Sequence, residues 1–235
     1  MKLSHIIILP TYNEELNIGN ILEKLKKEFS EFFILVVDDS SNDLTKKEFE
    51  KYKNDKCKII SRNQKLGRGS AIRLGFEYAI KNNYSTIIEM DSDLSHHPKD
   101  LLNMVNKFKK ENFDIIIGSR YLKESKIINW GKKRIVFSKL GNFLARLLFK
   151  YSIKDYTNGF RVYNNEVIKK VIQSKQINFG FIYLTEILII GIKNGFRISE
   201  VPITFVNRIK GKSSVNLKSI IESFLGLLIF KIKDF

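Results

Sequence analysis

The sequence predicts an α/β fold in which helices cover both faces of a mainly parallel sheet. Two patterns lead to this class: apolar, β-branched runs recur through the first 120 residues, and an amphipathic stretch with helical periodicity follows most of them. The size of the chain agrees, since 235 residues with a hydrophobic fraction of 43% fit one large α/β domain, alone or with a C-terminal appendage.

The elements follow one another in a regular order. The predicted strands of the first half are 5–10, 32–39, 57–61, 85–91 and 113–119, and the predicted helices between them are 15–29, 67–82 and 98–110. In the second half we predict helices over 134–151 and 181–196, a strand over 198–207 and an amphipathic tail with basic flanks over 217–235. No run reaches the 18 or so uncharged apolar residues that a membrane-spanning helix needs.

The net charge of +16 lies almost entirely in the second half. Residues 1–120 contain 20 Lys and Arg against 18 Asp and Glu, whereas residues 121–235 contain 21 against 7. This excess fits nucleic acid, an anionic membrane surface or phosphorylated substrates, or else a solvated lysine-rich surface. No nucleic-acid-binding signature accompanies it, so nucleic acid is not expected as a partner. The single cysteine, Cys57, excludes an internal disulfide and suits a reducing cytosol.

Two carboxylates follow the predicted strand 85–91, in the segment "EMDSDLSHHP" (89–98). Asp91 and Asp93 stand two residues apart at the end of a strand, where both can reach one cation, and oxygen ligands favour Mg²⁺ or Mn²⁺. The alternative is that an Asp or Ser caps the helix that begins near Pro98. Adjacent histidines without spaced partners are weak evidence for zinc, so for His96 we favour a structural role or one in supporting a neighbouring ligand.

Other polar segments follow the neighbouring strands. They are "PTYNEE" (10–15), "VVDDSSND" (36–43) and the glycine-containing turn "NQKLGRGSAIRLG" (63–75). Since ligands collect at the carboxyl ends of parallel strands, we expect these segments to lie along one edge of the sheet. The turn at 63–75 opens a helix, and its backbone N–H groups are predicted to meet a phosphate.

Seven motifs, taken in order, carry a resemblance to a known family. They are "LPTYNE", "VVDDSSND", "N..LGRGSAIRLG", "MDSDLSHHP", "GSRY", "YTNGFRVY" and "EVPITFVNRIKGKSS". Between about residues 5 and 214 the chain resembles the family-2, A-type (GT-A) inverting glycosyltransferases, and within them the polyprenyl-phosphate sugar synthases of the dolichol-phosphate mannose synthase branch. The resemblance implies a Rossmann-like GT-A domain over 1–214 and a C-terminal amphipathic, membrane-associating helix over 215–235.

The resemblance also implies an activity. A sugar, mannose from GDP-mannose, would pass to a polyprenyl (dolichyl or undecaprenyl) phosphate; UDP-glucose or UDP-N-acetylglucosamine as donor, or a hydroxyl acceptor, remain alternatives. A phosphomonoester is already anionic near neutral pH, with a second pKa of about 6, so no general base is needed. A hydroxyl acceptor would need one, and no strong candidate follows "MDSD". The intact Asp91 and Asp93 pair argues against an inactive scaffold of the same fold.

Site residues are implied in the same way. The nucleotide sugar would be bound by Pro10, Tyr12, Glu14, Asp39, Asp91, Asp93 and Arg208, with Asp91 and Asp93 holding Mg²⁺ or Mn²⁺. The acceptor phosphate would be bound by Arg120, Arg134, Ser138 and Ser213, with "NGFR" (158–161) forming part of the acceptor-side wall. The chemistry would rest on Asp93, Arg120, Arg134 and Arg208. The chain departs from the family pattern at Ser95, where Gln is frequent, and at Ser214, where a basic residue is usual.

A lipid acceptor implies a place in the cell. The amphipathic stretches near 135–150 and 216–233 would lie in the interface of an anionic membrane, with the protein peripheral at its cytoplasmic face. A small membrane-protein partner covering "LGLLIF" (225–230) is an alternative for the tail. For both stretches the competing interpretation is a helix packed on the sheet.

Overall fold

The computed structural model describes residues 4–174 and 182–208, together with positions 226, 228, 229 and 231. Strands and helices alternate along the first half of the chain, as predicted. In chain order the elements are β1 (His5–Thr11), α1 (Ile18–Glu28), β2 (Phe33–Asp38), α2 (Thr45–Glu50), β3 (Cys57–Ser61), α3 (Arg68–Lys81), β4 (Thr86–Glu89), α4 (Pro98–Glu111), β5 (Ile115–Ser119), β6 (Lys126–Ile128), α5 (Lys132–Phe149), β7 (Arg161–Asn164), α6 (Asn165–Gln173), α7 (Tyr183–Lys193), β8 (Ile198–Pro202) and β9 (Thr204–Val206).

Seven strands form one sheet in the order β3-β2-β1-β4-β7-β5-β8, and β6 pairs with β9 in a second, two-stranded sheet. Every neighbouring pair in the large sheet is parallel except the two pairs that β7 makes with β4 and β5. The predicted mainly parallel sheet is therefore confirmed. The antiparallel strand β7 was not predicted.

The core lies on both faces of this sheet because side chains alternate along each strand. From β1, Ile6 and Ile8 pack with α3, α6 and α7 on one face, whereas Ile7 and Leu9 pack with α1 and α4 on the other. Helix α3 approaches the sheet closely at Gly75, where an added Cβ would lie 2.5 Å from the Ile8 side chain. Buried strands flanked on both faces explain the nearly continuous apolar runs of the sequence.

Several predicted elements have different boundaries. The strand predicted over 198–207 is two strands, because β8 ends at Pro202 in the large sheet and β9 pairs with β6. The elements α2, β6, β7 and α6 were not predicted. The boundary at 214/215 and the tail helix over 215–235 lie outside the described residues, apart from the four single positions. Within the described part of the chain, no helix is long and apolar enough to cross a membrane.

The crevice of the fold lies beside the carboxyl end of β1. This strand pairs with β2 on one side and with β4 on the other, so the strand order reverses at β1. In open α/β sheets, ligands bind where the strand order reverses, outside the carboxyl ends of the strands. The segments that follow β1, β2 and β4 meet there, and we call this region the carboxyl edge.

The opposite end of β1 makes the stability sensitive to acid. His5 is buried, with its ring 4.4 Å from that of Phe32, and burial together with the charge of Lys109 lowers the pKa of His5 to about 4. Since this pKa lies below the ordinary value, the folded state binds the proton less readily than the unfolded chain does. Stability should fall as the pH drops from 6.5 towards 4, by about 2 kcal/mol at pH 5 from this group. Urea unfolding at pH 7.5 and 5.0 measures this loss of stability. The His5→Phe variant should lose less stability at pH 5.0 than the wild type. Equal losses in the two proteins would show that His5 is not the group responsible.

Candidate active site

The carboxyl edge is held together by hydrogen bonds between the segments that follow the strands. The Asp39 backbone N–H donates to the Thr11 carbonyl at 2.8 Å, and the Ser92 hydroxyl donates to the Pro10 carbonyl at 3.1 Å. These bonds bring the segments after β1, β2 and β4 side by side. Five of the predicted site residues, at positions 12, 14, 39, 91 and 93, belong to these segments.

Asp91 is fixed by an arginine that was not among the candidate residues. Arg68, the first residue of α3, approaches Oδ1 of Asp91 with Nη2 at 2.7 Å and with Nε at 3.1 Å. Burial would raise the pKa of Asp91, but the Arg68 guanidinium outweighs burial and lowers it below the ordinary value. Asp91 is therefore an ionised carboxylate at neutral pH.

Arg68 is itself anchored in the core by Glu89, the last residue of β4. Nη1 of Arg68 lies 2.6 Å from Oε1 of this fully buried carboxylate, which also accepts hydrogen bonds from the hydroxyls of Tyr163 and Tyr183. The backbone at Gly159 lies against the Arg68 guanidinium, and a Cβ there would overlap it. A chain of polar contacts thus connects β7 and α7 to Asp91.

Asp93 lies in a second group of charges. Its Oδ1 accepts the backbone N–H of Ser95 at 3.0 Å, and its Oδ2 lies 2.8 Å from Nη2 of Arg208. Nη1 of Arg208 is also 3.3 Å from Oε1 of Glu14. Burial raises the pKa of Glu14 to about 7; the Asn17 side chain opposes this shift and the Asp93 carboxylate adds to it. Glu14, Asp93 and Arg208 therefore converge, although they come from three distant segments.

The chain brings Arg208 to Asp93 through a short contact between β9 and the loop before α4. The Val206 N–H donates to the Ser95 carbonyl at 3.1 Å, and His96 forms an isolated antiparallel bridge with Phe205. Two residues beyond Val206, the chain reaches Arg208. This arrangement explains how a residue more than a hundred positions away completes the site.

Helix α4 is capped by His97, not by an Asp or Ser. Its Nδ1 accepts the Lys99 N–H at 3.1 Å, and Pro98 occupies the first turn. The alternative interpretation of Asp91 and Asp93 as helix caps is therefore wrong. His96 is buried and stacks on Phe160; its Nδ1 accepts the Asp91 N–H, and so its Nε2 must donate to Asn158. Burial lowers the pKa of His96, and the ring is a neutral structural group, as expected.

A group of three arginines borders the carboxylates; we call Arg120, Arg134 and Arg208 the arginine cluster. Trp130 lies between two of them, with the Cζ atoms of Arg120 and Arg134 each 5.2 Å from its ring centroid. Burial lowers the pKa of Arg134, and the charges of Arg208 and Arg120 lower it further. Like charges held this close favour an anionic ligand.

Arg120 is the most rigidly held member of the arginine cluster. Its Nε and Nη2 each donate to Asp155 at 2.8 Å, and Nη2 also donates to Thr157 at 2.7 Å. Arg134 lies on α5 and is more exposed, with Asn207 Oδ1 at 3.4 Å from its Nη1. Ser138 lies one turn further along α5, on the same face of that helix. Ser213 lies outside the described residues.

The family model described as "Glycosyl transferase family 2" matches residues 6–172. The chain belongs to glycosyl transferase family 2. The matched range contains the turn with Asp91 and Asp93 and two members of the arginine cluster; Arg208 follows it.

Two curated relatives cover most of this glycosyltransferase. Polyprenol monophosphomannose synthase of Mycolicibacterium smegmatis is 35% identical over 221 residues, which are 93% of this chain and 83% of the relative. Undecaprenyl-phosphate mannosyltransferase of Micrococcus luteus is 30% identical over 213 residues, 90% of this chain and 87% of the relative. The predicted family is confirmed, and both relatives bear names from the predicted branch.

The fold is also confirmed by solved structures. A crystal structure of glucosyl-3-phosphoglycerate synthase from Mycobacterium tuberculosis, in complex with Mn²⁺, uridine diphosphate and glucosyl-3-phosphoglycerate, superposes with a TM-score of 0.74 at 16% identity. The match covers 98% of this chain and 80% of that one. The glycosyltransferase therefore has the predicted Rossmann-like GT-A fold.

The carboxylates of the glycosyltransferase fit a hard divalent cation. Asp91 and Asp93 present carboxylate oxygens from one turn, and among the residues that the structure describes no group of three or more Asp, Glu, His or Cys is arranged so that it could hold a metal ion. Mg²⁺ is usually held in this way, by one or two carboxylates together with substrate phosphates and water. The donor set therefore suits a cation that binds with a diphosphate.

Two sequence-based expectations need correction. The N–H groups of Leu66 and Gly67, predicted to meet a phosphate, donate to the Asp39 carboxylate at 2.8 and 2.7 Å, and Arg62 pairs with the same carboxylate. The segment 158–161, expected in the acceptor-side wall, is buried. Arg161 donates to three backbone carbonyls inside the protein, at residues 156, 158 and 184. The predicted contact of Asp39 with the nucleotide sugar stays a prediction.

Proposed function

We propose that this glycosyltransferase moves mannose from GDP-mannose to the phosphate of a polyprenyl phosphate, with inversion at the anomeric carbon. The observation that carries the proposal is the arginine cluster: Arg120 and Arg134 both border Trp130, Arg208 contacts Asp93, and the charges of Arg208 and Arg120 add to the lowering of the Arg134 pKa by burial. A phosphomonoester would offset the repulsion at Arg134, and a diphosphate would give Arg208 an anionic partner besides Asp93 and Glu14. The names of the two curated relatives support the sugar and the acceptor.

The donor would bind along the carboxyl edge. Asp91 and Asp93 would hold Mg²⁺ or Mn²⁺, which when bound neutralises charge on the diphosphate leaving group. Arg208 would contact the same diphosphate. Pro10, Tyr12, Glu14 and Asp39 would form the pocket for the base and ribose, and Nζ of Lys65 lies 3.6 Å from the centroid of the Tyr12 ring.

The acceptor phosphate would bind to Arg120, Arg134, Ser138 and Ser213. An oxygen of this phosphate forms the new bond to the anomeric carbon while the bond from that carbon to the donor diphosphate breaks, releasing the nucleoside diphosphate. Because the attacking oxygen carries no proton at neutral pH, the site needs no general base. The arginines would hold two anions in line and offset their repulsion, which is a positioning role.

Transfer assays in detergent test the proposal. Labelled GDP-mannose, UDP-glucose and UDP-N-acetylglucosamine are each offered with polyprenyl phosphate or with the free polyprenol, in Mg²⁺, Mn²⁺ or a chelator. We expect label in the lipid only from GDP-mannose, only with the phosphate, and only with a divalent cation. Label in the lipid from a UDP-sugar would show that this UDP-sugar, and not GDP-mannose, is the donor. Label on the alcohol but not on the phosphate would overturn the acceptor.

A lipid acceptor also requires a membrane contact, which α5 offers. Its described side chains include an exposed apolar stripe, at Val136, Leu140, Phe143 and Leu147, and basic residues at positions 132, 133, 139, 146 and 150 border it. Apolar side chains with flanking cations suit an interfacial helix on anionic lipid. Arg134 and Ser138 lie on the same helix, so α5 would join the membrane surface to the acceptor site. The protein would then be peripheral, at the cytoplasmic face; the tail and its small membrane-protein partner stay predictions.

Vesicle binding tests the membrane contact. Leu147→Glu should weaken partition onto anionic phosphatidylglycerol vesicles at least about tenfold, because it removes an exposed leucine that would enter the lipid and adds charge repulsion. Leu44→Glu is the matched control, since Leu44 is exposed to the same degree, 60% against 62% for Leu147, but lies away from α5. Equal weakening in the two variants, or none in either, would rule out α5 as the contact surface.

A further inference from the structure

We propose that Arg208 and a divalent cation compete for the Asp93 carboxylate, and that Arg208 thereby couples the binding of the cation to the binding of the nucleotide diphosphate. This inference rests on the proposed function, since it names how its donor site is loaded. It concerns the order and strength of binding, not the identity of the sugar.

Both oxygens of the Asp93 carboxylate have partners in the folded chain. Oδ1 accepts the Ser95 N–H at 3.0 Å, a backbone bond that fixes the turn. Oδ2, the other oxygen, lies 2.8 Å from Nη2 of Arg208. A cation that binds Asp93 through Oδ2 shares this oxygen with a guanidinium group or takes its place, and a cation that binds through the second lone pair of Oδ1 still lies on the same carboxylate as Arg208.

Arg208 has charged neighbours of both signs. Glu14 lies on its other side, with Oε1 3.3 Å from Nη1, whereas Arg134 is close enough for the charge of Arg208 to depress its pKa. The backbone before Arg208 is fixed, because the Asn207 N–H donates to the Ile128 carbonyl at 2.9 Å. The Arg208 side chain can thus change partners by rotation, without a shift of β9.

A bound diphosphate changes the repulsion between the cation and Arg208 at Asp93. A divalent cation and a guanidinium on one carboxylate repel each other, so the cation by itself binds against a penalty. A nucleoside diphosphate brings negative charge that can accept Arg208 and the cation together. Binding of the cation and the nucleotide should then be cooperative, and the coupling must be reciprocal.

The coupling is measured by binding, without catalysis. Mn²⁺ titrations followed by electron paramagnetic resonance give the cation affinity without nucleotide, and calorimetry in saturating Mn²⁺ gives the affinities for GDP and UDP. Arg208→Gln should strengthen Mn²⁺ binding without nucleotide at least about tenfold and weaken GDP binding at least about tenfold. A role of Arg208 in fold integrity alone would weaken both.

Two further variants make the comparison specific. Arg208→Lys keeps the charge and should leave Mn²⁺ affinity close to that of the wild type. Lys46→Gln removes the same unit of charge from the carboxyl edge, but from a lysine that pairs with Asp38, and it should not strengthen Mn²⁺ binding. If Arg208→Gln leaves Mn²⁺ affinity unchanged or lowers it, the competition is refuted. If instead the wild type binds Mn²⁺ but neither nucleotide, the proposed function fails, while the Mn²⁺ comparison still decides the competition.

Discussion

Asp93→Asn is expected to reduce sugar transfer by about a hundredfold to a thousandfold, the loss that follows removal of one group stabilising developing charge. The substitution keeps the shape of the side chain and its contact with the Ser95 N–H, but it removes the charge. It therefore takes away the proposed cation ligand and the charge that pairs with Arg208, whose contact with Glu14 is kept. Initial rates with labelled donor and polyprenyl phosphate, at several Mn²⁺ concentrations, measure the effect.

The control for this experiment is Asp55→Asn. Asp55 is exposed in the turn before β3 and lies at the other end of the sheet, so the variant should keep the wild-type rate. Thermal unfolding of both variants separates a lost ligand from a damaged fold. If Asp93→Asn retained more than a tenth of the activity with an unchanged dependence on Mn²⁺, Asp93 would not be a cation ligand.

Asp155→Asn is expected to destabilise the folded state by about 3–5 kcal/mol, the usual result of breaking a buried ion pair from one side. Asp155 is fully buried and accepts two hydrogen bonds from the Arg120 side chain and one from the Arg120 backbone. For a chain of this size the melting temperature should fall by about 10 °C. Burial would raise the pKa of Asp155, but Arg120 outweighs it and lowers the pKa, so the stabilisation holds at neutral pH and is lost only in acid.

Two comparisons give that result its meaning. Glu166→Gln breaks an exposed ion pair with Lys169 and should cost well under about 1 kcal/mol. The double variant Arg120→Met, Asp155→Leu should be more stable than Asp155→Asn, because it leaves no unpaired buried charge. Urea unfolding measures all three. A loss of less than about 1 kcal/mol for Asp155→Asn would show that the pair contributes little.

The elements that sequence reasoning located are those with strong local signals. The run "HIIILP" is apolar at consecutive positions because β1 is covered on both faces, and such a run indicates a strand whatever lies beside it. Asp91 and Asp93, which follow β4, predicted the site because two neighbouring negative charges at the end of a buried strand need a positive charge to offset their burial. The arginines at 120, 134 and 208 were named from the family resemblance, and the structure brings them together.

The parts that were missed depend on contacts between distant segments. β7 is four residues long and begins with a buried arginine, and Arg161 is tolerated in the core only because three backbone carbonyls receive its guanidinium. Nothing local to the sequence indicates those acceptors. Arg68 lies in the glycine-containing turn 63–75, but its role depends on Glu89, 21 positions away, and on tyrosines from β7 and α7.

The corrected expectations have a similar origin. Turn 63–75 has the composition of a phosphate-binding loop, and its N–H groups are indeed directed at an anion, but that anion is the carboxylate of Asp39. His97 takes the cap position of α4, although Asp and Ser are the commoner caps. In both cases several acceptors compete for a backbone N–H group, and the acceptor that lies nearest in the folded chain receives the hydrogen bond.

The position of Trp130 has a practical consequence. It is the chain's only tryptophan, and its ring is bordered by Arg120 and Arg134 and packs on Phe205. All tryptophan emission of the protein therefore originates beside the arginine cluster. Charges close to an indole ring shift its emission, so the protein carries a built-in optical reporter at its proposed acceptor site, readable without a label.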